Sequence, residues 1–407
     1  MTTKLLEGIR VVEASIYGFV PSAAGVLADW GADVIKVEHP ETGDPVRNLS
    51  SYGFKPGDGD VPSLLFEVFN RGKRSFGLDI RNSKGREILM SLVDSADVFL
   101  TNFLPASCTR LGIDADQIMA RNPNIIYGRG TGHGPIGPDA NVGGFDALTY
   151  WGRSGAAVAA MAPGDKFPVL MPGPAFGDIQ SGMHLAGGVV AGLYNRQRTG
   201  KGAIVDVSLL SAGLWAMQAS IAGAFVLNSD NIQQLDRRNP PNPIANIYRT
   251  KDGRSFTLGL MESDRYWEGF CAVLGRPDLA KDPRFLDSAL RAKNTEVCVA
   301  EFDKIFESMT LAEVSEALNK QDGPWAYVRP PGDALTDEQA RVNGFTQTVE
   351  YPNGATLPLV TPPVQINRET PKLSPAPAHA EHTDEILTEL GFSEEEMIDL
   401  KVAGVVS

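Results

Sequence analysis

The sequence predicts an α/β protein: a Rossmann-like parallel sheet in a large domain, joined to a smaller α+β domain. Three observations carry this. Short apolar strand patterns alternate with helical stretches through the first 135 residues, as in a parallel sheet covered by helices. Composition shifts near Asn228, and Asn239-Pro-Pro-Asn-Pro243 reads as a linker. At 407 residues the chain is long for one domain. The boundaries drawn are 1–227 for the large domain, 228–330 for the small domain with its linker, and 331–407 for a linker and C-terminal segment that returns to the large domain.

Each element has a local reason. Ile9 to Ala14 is an apolar strand. Pro21 to Trp30 reads as a helix with its proline at a tolerated early position, and Gly31 stops it. Asp33 to Glu38, Ser75 to Ile80, Val98 to Asn102 and Ile125 to Gly128 are further strands, with helices over Ser83 to Val93 and near Asp114 to Ala120. Pro138 to Pro174 is glycine- and proline-rich, as ligand-contacting loops often are. Asp178 to Asn195 reads as a helix of small and apolar residues, buried nearly all round. Ala203 to Leu209 is a strand. Beyond the linker, Tyr248 to Phe256 is a hairpin, followed by helices over Asp264 to Leu274, Thr295 to Ser308 and Leu311 to Lys320. Asp333 to Val349 is connecting structure, and Glu381 to Gly391 is a helix ended by glycine.

Bulk properties exclude several function classes. Apolar residues make up 43% and charged residues 21%, the balance of a soluble globular chain. No apolar run reaches the roughly 18 residues of a membrane span. Met1-Thr-Thr-Lys-Leu-Leu-Glu7 leads straight into a strand pattern, so no secretory leader is expected. Cys108, Cys271 and Cys298 are scattered and odd in number, which fits cytoplasmic thiols better than a disulfide framework. The five histidines form no tight ligand pattern, so no metal is expected. Net charge is −13, which argues against nucleic acid or an anionic membrane as partner. A small anionic ligand needs only a local basic cluster.

The chemistry-bearing motifs are few. After the first strand comes Ser15-Ile-Tyr-Gly18-Phe-Val-Pro21, without the glycine pattern of a dinucleotide site. Arg198-Thr-Gly-Lys-Gly202 lies between a helix and a strand, the wrong context for a nucleotide-phosphate loop. No Gly-x-Ser-x-Gly nucleophile elbow occurs. Arg47, Arg71, Lys73, Arg74, Arg81 and Arg110 gather near loop ends. They are either a solvated basic face or a site for a polyphosphorylated ligand. Asp178, in Gly177-Asp178-Ile-Gln-Ser-Gly182-Met-His184, stands at a helix start. It is either an N-cap or a nucleophilic carboxylate, with Gly177 and Gly182 allowing another molecule close to the backbone.

Four ordered segments resemble one family across the chain from about residue 5 to the C-terminus. They are Leu5-Leu-Glu-Gly8-Ile-Arg-Val-Val-Glu13 with Asp29-Trp-Gly31-Ala-Asp-Val-Ile-Lys-Val-Glu38; Phe69-Asn-Arg-Gly-Lys73-Arg-Ser75-Phe-Gly-Leu-Asp79; Gly177-Asp178-Ile-Gln-Ser-Gly182 with Arg198-Thr-Gly-Lys-Gly202-Ala-Ile-Val-Asp-Val-Ser208; and Pro375-Ala-Pro377 with Glu381-His-Thr383. Together they resemble the family III CoA-transferases (the CaiB/BaiF family, which includes formyl-CoA transferase and is related to the α-methylacyl-CoA racemases). The resemblance implies a ring-shaped subunit interlocked with its partner in a homodimer. It implies a coenzyme A thioester and a carboxylic acid as substrates, with no prosthetic group.

Carried over residue by residue, the resemblance makes Asp178 the nucleophile, through acyl–aspartyl anhydride and aspartyl–CoA thioester intermediates. A carboxylate suits this role because it is ionised at neutral pH without a general base. Asp146 matches an acidic active-site position; its other reading is a loop cap. The CoA contacts implied are Ile16, Tyr17, Gly18 and Phe19 after the first strand, His39 after the second, Leu78 and Arg81 after the third, Asn102 and Phe103 after the fourth, and Arg110. Gly18 stands where formyl-CoA transferase carries glutamine, which argues against a formyl or oxalyl substrate. Ala380 stands where a glycine is common and reads as neutral. Phe145 stands where the racemases carry histidine and cannot exchange a proton, which favours transfer over racemisation. Transfer within one dicarboxylic acid uses the same aspartate. The linker, Lys251-Asp-Gly253 and Asp29-Trp-Gly31 resemble relatives that activate 2-hydroxy acids.

Overall fold

A computed structural model of the chain describes residues 4–50, 63–230, 232 and 236–407. Residues 1–3, part of the stretch read as lacking a leader, lie outside it. The parallel strands are β1 (Arg10–Ala14), β2 (Asp33–Glu38), β3 (Arg74–Gly77), β4 (Val98–Thr101), β5 (Ile126–Thr131) and β6 (Ala203–Ser208). They form one sheet in the order β3-β2-β1-β4-β5-β6, parallel throughout. The connections reverse direction between β1 and β4. Ligands of open α/β sheets bind outside the carboxyl ends of the strands at such a switch point.

Helices α1 (Phe19–Asp29), α2 (Leu64–Asn70), α3 (Ser83–Asp94), α4 (Pro105–Leu111), α5 (Ala115–Arg121), α6 (Ala156–Ala159), α7 (Phe176–Thr199), α8 (Leu209–Ala216) and α9 (Gln218–Leu227) belong to the same unit. Successive strand residues face opposite sides, so each strand feeds two cores. Val12, Ile35, Phe76 and Phe99 pack with Ile88, Leu89 and Leu92 of α3 and with Ile386, Leu387 and Leu400 from the C-terminal segment. Val11, Val34, Val98 and Ile126 pack with Val20, Ala23 and Leu27 of α1 and with Leu185, Ala186 and Val189 of α7.

Helix α7 departs from its expected burial. Only one stripe is covered (Ser181, Gly182, Leu185, Ala186, Val189, Gly192, Leu193), while Gln180, His184, Gly187 and Tyr194 are exposed. Its small residues serve close packing. A Cβ on Gly182 would run into the Ser22 hydroxyl and lie 3.0 Å from the Ala23 nitrogen of α1. Among the described residues no single helix is long and apolar enough to cross a membrane; α8 and α9 are apolar together but bend by 62°.

The chain separates into one unit of Met1–Ala159, Val169–Ile232 and Glu338–Ser407 and another of Ala160–Pro168 and Gln233–Asp337. Residues 160–168 and 331–337 thus lie with the second unit, where local composition had placed them elsewhere. That unit has an antiparallel sheet of Ile247–Arg249, Ser255–Leu258 and Trp325–Val328. Its core is aromatic, with Tyr248, Phe256, Phe270, Phe302 and Phe306 buried together. In the first unit, the stretch read as connecting structure contains a strand, Thr346–Glu350, paired antiparallel with Thr356–Val360.

Candidate active site

The turn leaving β1 is held at Ser15, Ile16, Tyr17 and Gly18. Lys36 Nζ donates to the Ser15 carbonyl at 3.1 Å. The Asn102 side chain grips Ile16 from both sides, accepting its N–H at 3.1 Å and donating to its carbonyl at 2.6 Å. Asp44 Oδ1 accepts the Tyr17 N–H at 3.2 Å. The Gly18 carbonyl accepts from Ser22 N at 2.9 Å, inside the first turn of α1. Tyr17 has φ +64°, a conformation that costs a bulky residue energy.

This turn delivers Gly18 to Asp178. A Cβ added at Gly18 would collide with Asp178 Oδ2 and lie 3.0 Å from its Cγ and 3.1 Å from Phe69 Cζ. No side chain fits there beside the carboxylate.

Asp178 is not the cap of its helix. The cap position is Ala175, at φ +61° with no side-chain hydrogen bond, and Asp178 lies in the first turn. The capping group comes from another segment. Asp146 Oδ2 accepts the Gly177 N–H at 3.1 Å and the Asp178 N–H at 3.4 Å. Its Oδ1 accepts Ala147 N at 2.8 Å, at the start of a π-helix over Ala147–Arg153. The Asp178 carbonyl accepts from Ser22 Oγ at 3.2 Å.

Burial raises the Asp178 carboxyl, and the nearby Asp146 charge adds to the rise, so its pKa is pushed up to about 8. The acid is therefore mostly protonated at neutral pH, which corrects the expectation of a carboxylate ionised there. The flanking glycines also serve differently from the expectation. A Cβ on Gly177 would lie 2.7 Å from Tyr150 and 2.8 Å from Asp146. Gly177 and Gly182 admit the protein's own chain, and Gly18 is the glycine that lies against the Asp178 carboxylate.

Beside this turn lies a cavity of about 360 Å³ at the carboxyl ends of β1 to β4, the switch point of the sheet. Of the expected CoA contacts, Ile16, His39, Leu78, Arg81, Phe103 and Arg110 line it. Arg81 Nη2 sits against His39 Nε2 and Arg81 Nε pairs with Asp79 at 2.9 Å. Arg110 is exposed and bonds Ser107 Oγ at 3.2 Å. Asn102 is committed to Ile16, and Phe19 is buried against Gly130. Those two shape the site from behind.

The six basic residues do not form one cluster. Arg47 is paired with Glu38 at 2.7 Å, Arg71 with Asp29 at 2.7 Å, Lys73 with Glu13 at 2.6 Å, and Arg74 with Asp33 at 2.6 Å and Glu389 at 2.7 Å. Arg81 and Arg110 alone of the six face the cavity.

Two associations between residues escaped the sequence reading. Aromatic rings pair on the segments that carry Gly18, Asp146 and Asp178: Tyr17 meets Phe145 edge-on at 5.5 Å, and Phe176 meets Tyr150 and Trp151 edge-on at 6.3 and 6.2 Å. A fully buried ion network of Glu13, Lys36, Asp44 and Lys73 lies behind the turn. The signal for Asp44 was the Gly43-Asp44-Pro45 turn; its side chain caps the short helix Pro45–Asn48.

The chain is similar to known proteins along its whole length. The profile of CoA-transferase family III matches residues 6–383. The (R)-2-hydroxy-4-methylpentanoate CoA-transferase of Clostridioides difficile is 34% identical over 403 residues, spanning 99% of both chains. The cinnamoyl-CoA:phenyllactate CoA-transferase of Clostridium sporogenes is 29% identical over 98% of this chain and 96% of the relative. A CaiB/BaiF family protein from Brucella suis superposes with a TM-score of 0.83 at 29% identity, covering 96% of this chain and 100% of the other. With this sheet, this crevice and these relatives, the chain belongs to CoA-transferase family III, an enzyme family whose substrates are acyl-CoA thioesters and carboxylic acids.

Proposed function

We propose that this enzyme moves CoA from an acyl-CoA thioester to a 2-hydroxy carboxylic acid bearing a branched or aromatic side chain, with Asp178 as the covalent carrier. The observation that carries this reading is the Asp178 carboxylate lying against Gly18, next to the switch-point crevice. The crevice suits the CoA moiety, with Arg81 and Arg110 as phosphate partners and the Ile16–Gly18 backbone leading the thioester to Asp178.

The steps balance on one carboxylate. Asp178 attacks the donor carbonyl, forming a mixed anhydride and releasing CoA thiolate. The thiolate attacks the aspartyl carbonyl, giving an aspartyl–CoA thioester and the free donor acid. The acceptor carboxylate then attacks that thioester, forming a second anhydride and releasing thiolate. The thiolate takes the acceptor acyl group, and Asp178 returns as carboxylate. A desolvated carboxylate is a better nucleophile than a hydrated one, and the same burial raises its pKa. The N–H groups of Gly177 and Asp178 already serve Asp146. The first turn of α1, at Phe19 and Val20, supplies N–H groups with no partner inside the helix, and these suit the thioester oxyanion.

Two features support the acceptor class. The rings of Tyr17, Phe145, Tyr150, Trp151 and Phe176 give the approach to Asp178 apolar walls. Two relatives are named for 2-hydroxy-4-methylpentanoate and phenyllactate, both 2-hydroxy acids. The resemblance further supports an interlocked homodimer acting in the cytoplasm. Mass spectrometry of acyl-CoA products, from a panel of donors against 2-hydroxy, unsubstituted and dicarboxylic acceptors, tests the reading. Products with branched or aromatic 2-hydroxy acids are expected, and exclusive use of unsubstituted or dicarboxylic acids would refute the acceptor class.

A further inference from the structure

Tyr17 presents an unusual combination. Its backbone is in the left-handed region at φ +64°, where a large side chain is disfavoured and persists only if its surroundings hold it. Its neighbour Gly18 is the residue that meets the Asp178 carboxylate. What holds the Tyr17 backbone N–H is Asp44, which is 1% exposed and lies on a loop 27 residues away in sequence.

Each oxygen of Asp44 has its own task. Oδ1 accepts the N–H groups of Tyr17 at 3.2 Å and Val46 at 3.0 Å. Oδ2 pairs with Lys36 Nζ at 2.9 Å. Lys36 in turn reaches Glu13 at 3.2 Å and the Ser15 carbonyl at 3.1 Å, at the start of the same turn. Glu13 is fixed by Lys73 at 2.6 Å and by Ser15 Oγ at 2.7 Å. The Asp44 N–H donates to Glu38 at 3.0 Å, and Arg47 neutralises Glu38 at 2.7 Å. Three buried carboxylates thus meet three cations. A network of this kind fixes a single geometry, and here its only backbone contacts on the turn are at Ser15 and Tyr17.

We propose that Asp44 is a positioning residue for the transfer reaction: by accepting the Tyr17 N–H while Lys36 holds its other oxygen, it keeps Tyr17 in the left-handed conformation and so keeps the Gly18 backbone against Asp178. The proposal rests on the reading of Asp178 as the reacting carboxylate. Asp44 borders the crevice, but its carboxylate oxygens are spent on Tyr17, Val46 and Lys36. Its effect passes through one backbone conformation, and that makes it separable from general stabilisation. Glycine adopts positive φ without strain, so with glycine at position 17 the turn no longer depends on Asp44.

The experiment is a double-mutant cycle of D44A with Y17G, reading kcat, the KM for acyl-CoA and Tm for each protein. In the parent background D44A lowers kcat by about tenfold or more, because a displacement of about 1 Å in a reacting geometry is costly, while KM changes less than about threefold. In the Y17G background the same change lowers kcat by less than about threefold. D44N keeps one accepting oxygen, enough for Tyr17 and Val46 but not for Lys36 as well, so it loses less than D44A, and its loss also shrinks beside Y17G; if D44A does not fold, this second cycle decides. Equal losses in both backgrounds, from folded proteins, overturn the proposal. Trapping of an acyl group on Asp178 of the unmodified enzyme scores the nucleophile separately, so failure of that reading is told apart from failure of this one.

Discussion

Asp146 caps the helix that carries Asp178, accepting the Gly177 and Asp178 N–H groups at 3.1 and 3.4 Å. The same carboxylate adds a like charge beside a buried acid and helps push the Asp178 pKa up to about 8. One residue therefore both fixes the backbone of Asp178 and adds to the rise that burial gives its carboxyl pKa.

The kinetic consequence is a pH profile. In the proposed mechanism the ionised form of Asp178 attacks, so kcat/KM for the acyl-CoA is expected to rise with pH and level off above about 8. Asp146→Asn removes the like charge, which moves this acidic limb to lower pH. A limb that stays in place in the variant would show that Asp146 does not act on the titrating group.

Stability follows the opposite course. The folded pKa of Asp178, about 8, lies above its unfolded value near 3.8. Between those pH values the native state binds the extra proton, so stability is full below about 4 and declines as pH rises to about 8. Asp178→Asn escapes the decline. Urea unfolding should show the variant gaining on the parent from pH 4.5 to pH 8.5, by about 1–3 kcal/mol after allowance for solvent screening. A difference that does not vary with pH would remove burial as the cause.

Gly18→Ala places a methyl group into the Asp178 carboxylate and against Phe69. Because Gly18 opens α1 and is not at positive φ, the backbone tolerates alanine. The expected outcome is a folded protein with kcat reduced by about 100-fold. Circular dichroism checks the fold, and near-parental turnover would mean that Asp178 is not approached over Gly18.

The arginines divide by partner. Arg110→Ala and Arg81→Ala should each raise the KM for acyl-CoA by about tenfold, as loss of a charged hydrogen bond does, with little change in Tm. Arg74→Ala should lower Tm with KM unchanged, because Arg74 is spent on Asp33, Glu385 and Glu389. The reverse pattern would contradict the placement of the CoA phosphates in the crevice.

Much of the sheet was legible because β-branched runs such as Asp33–Glu38 and Val98–Thr101 declare strands locally. The position of Asp178 near a helix start was legible because the proline- and glycine-rich stretch before it gives way to a run of small and apolar residues. The cap was not, because its acceptor, Asp146, is 32 residues away. The basic residues misled because their ion pairs are tertiary: nothing near Lys73 in sequence announces Glu13. Asp44 looked like an ordinary Asp-Pro turn, and only folding brings it to Tyr17. Ala380, read as neutral, has φ +59°, where the glycine common at that position would be less strained. The strand Thr346–Glu350 was missed because Val349 is its single apolar residue and its partner, Thr356–Val360, is interrupted by Pro358.

The central claim is that Asp178 carries the acyl group and then CoA. Its most direct test is to quench the enzyme with hydroxylamine during turnover with acyl-CoA, then map the modified peptide by mass spectrometry. An aspartyl hydroxamate on Asp178, absent without acyl-CoA and absent in Asp178→Asn, is the predicted result. Turnover with Asp178 unmodified, or with the hydroxamate on another carboxylate, would contradict it.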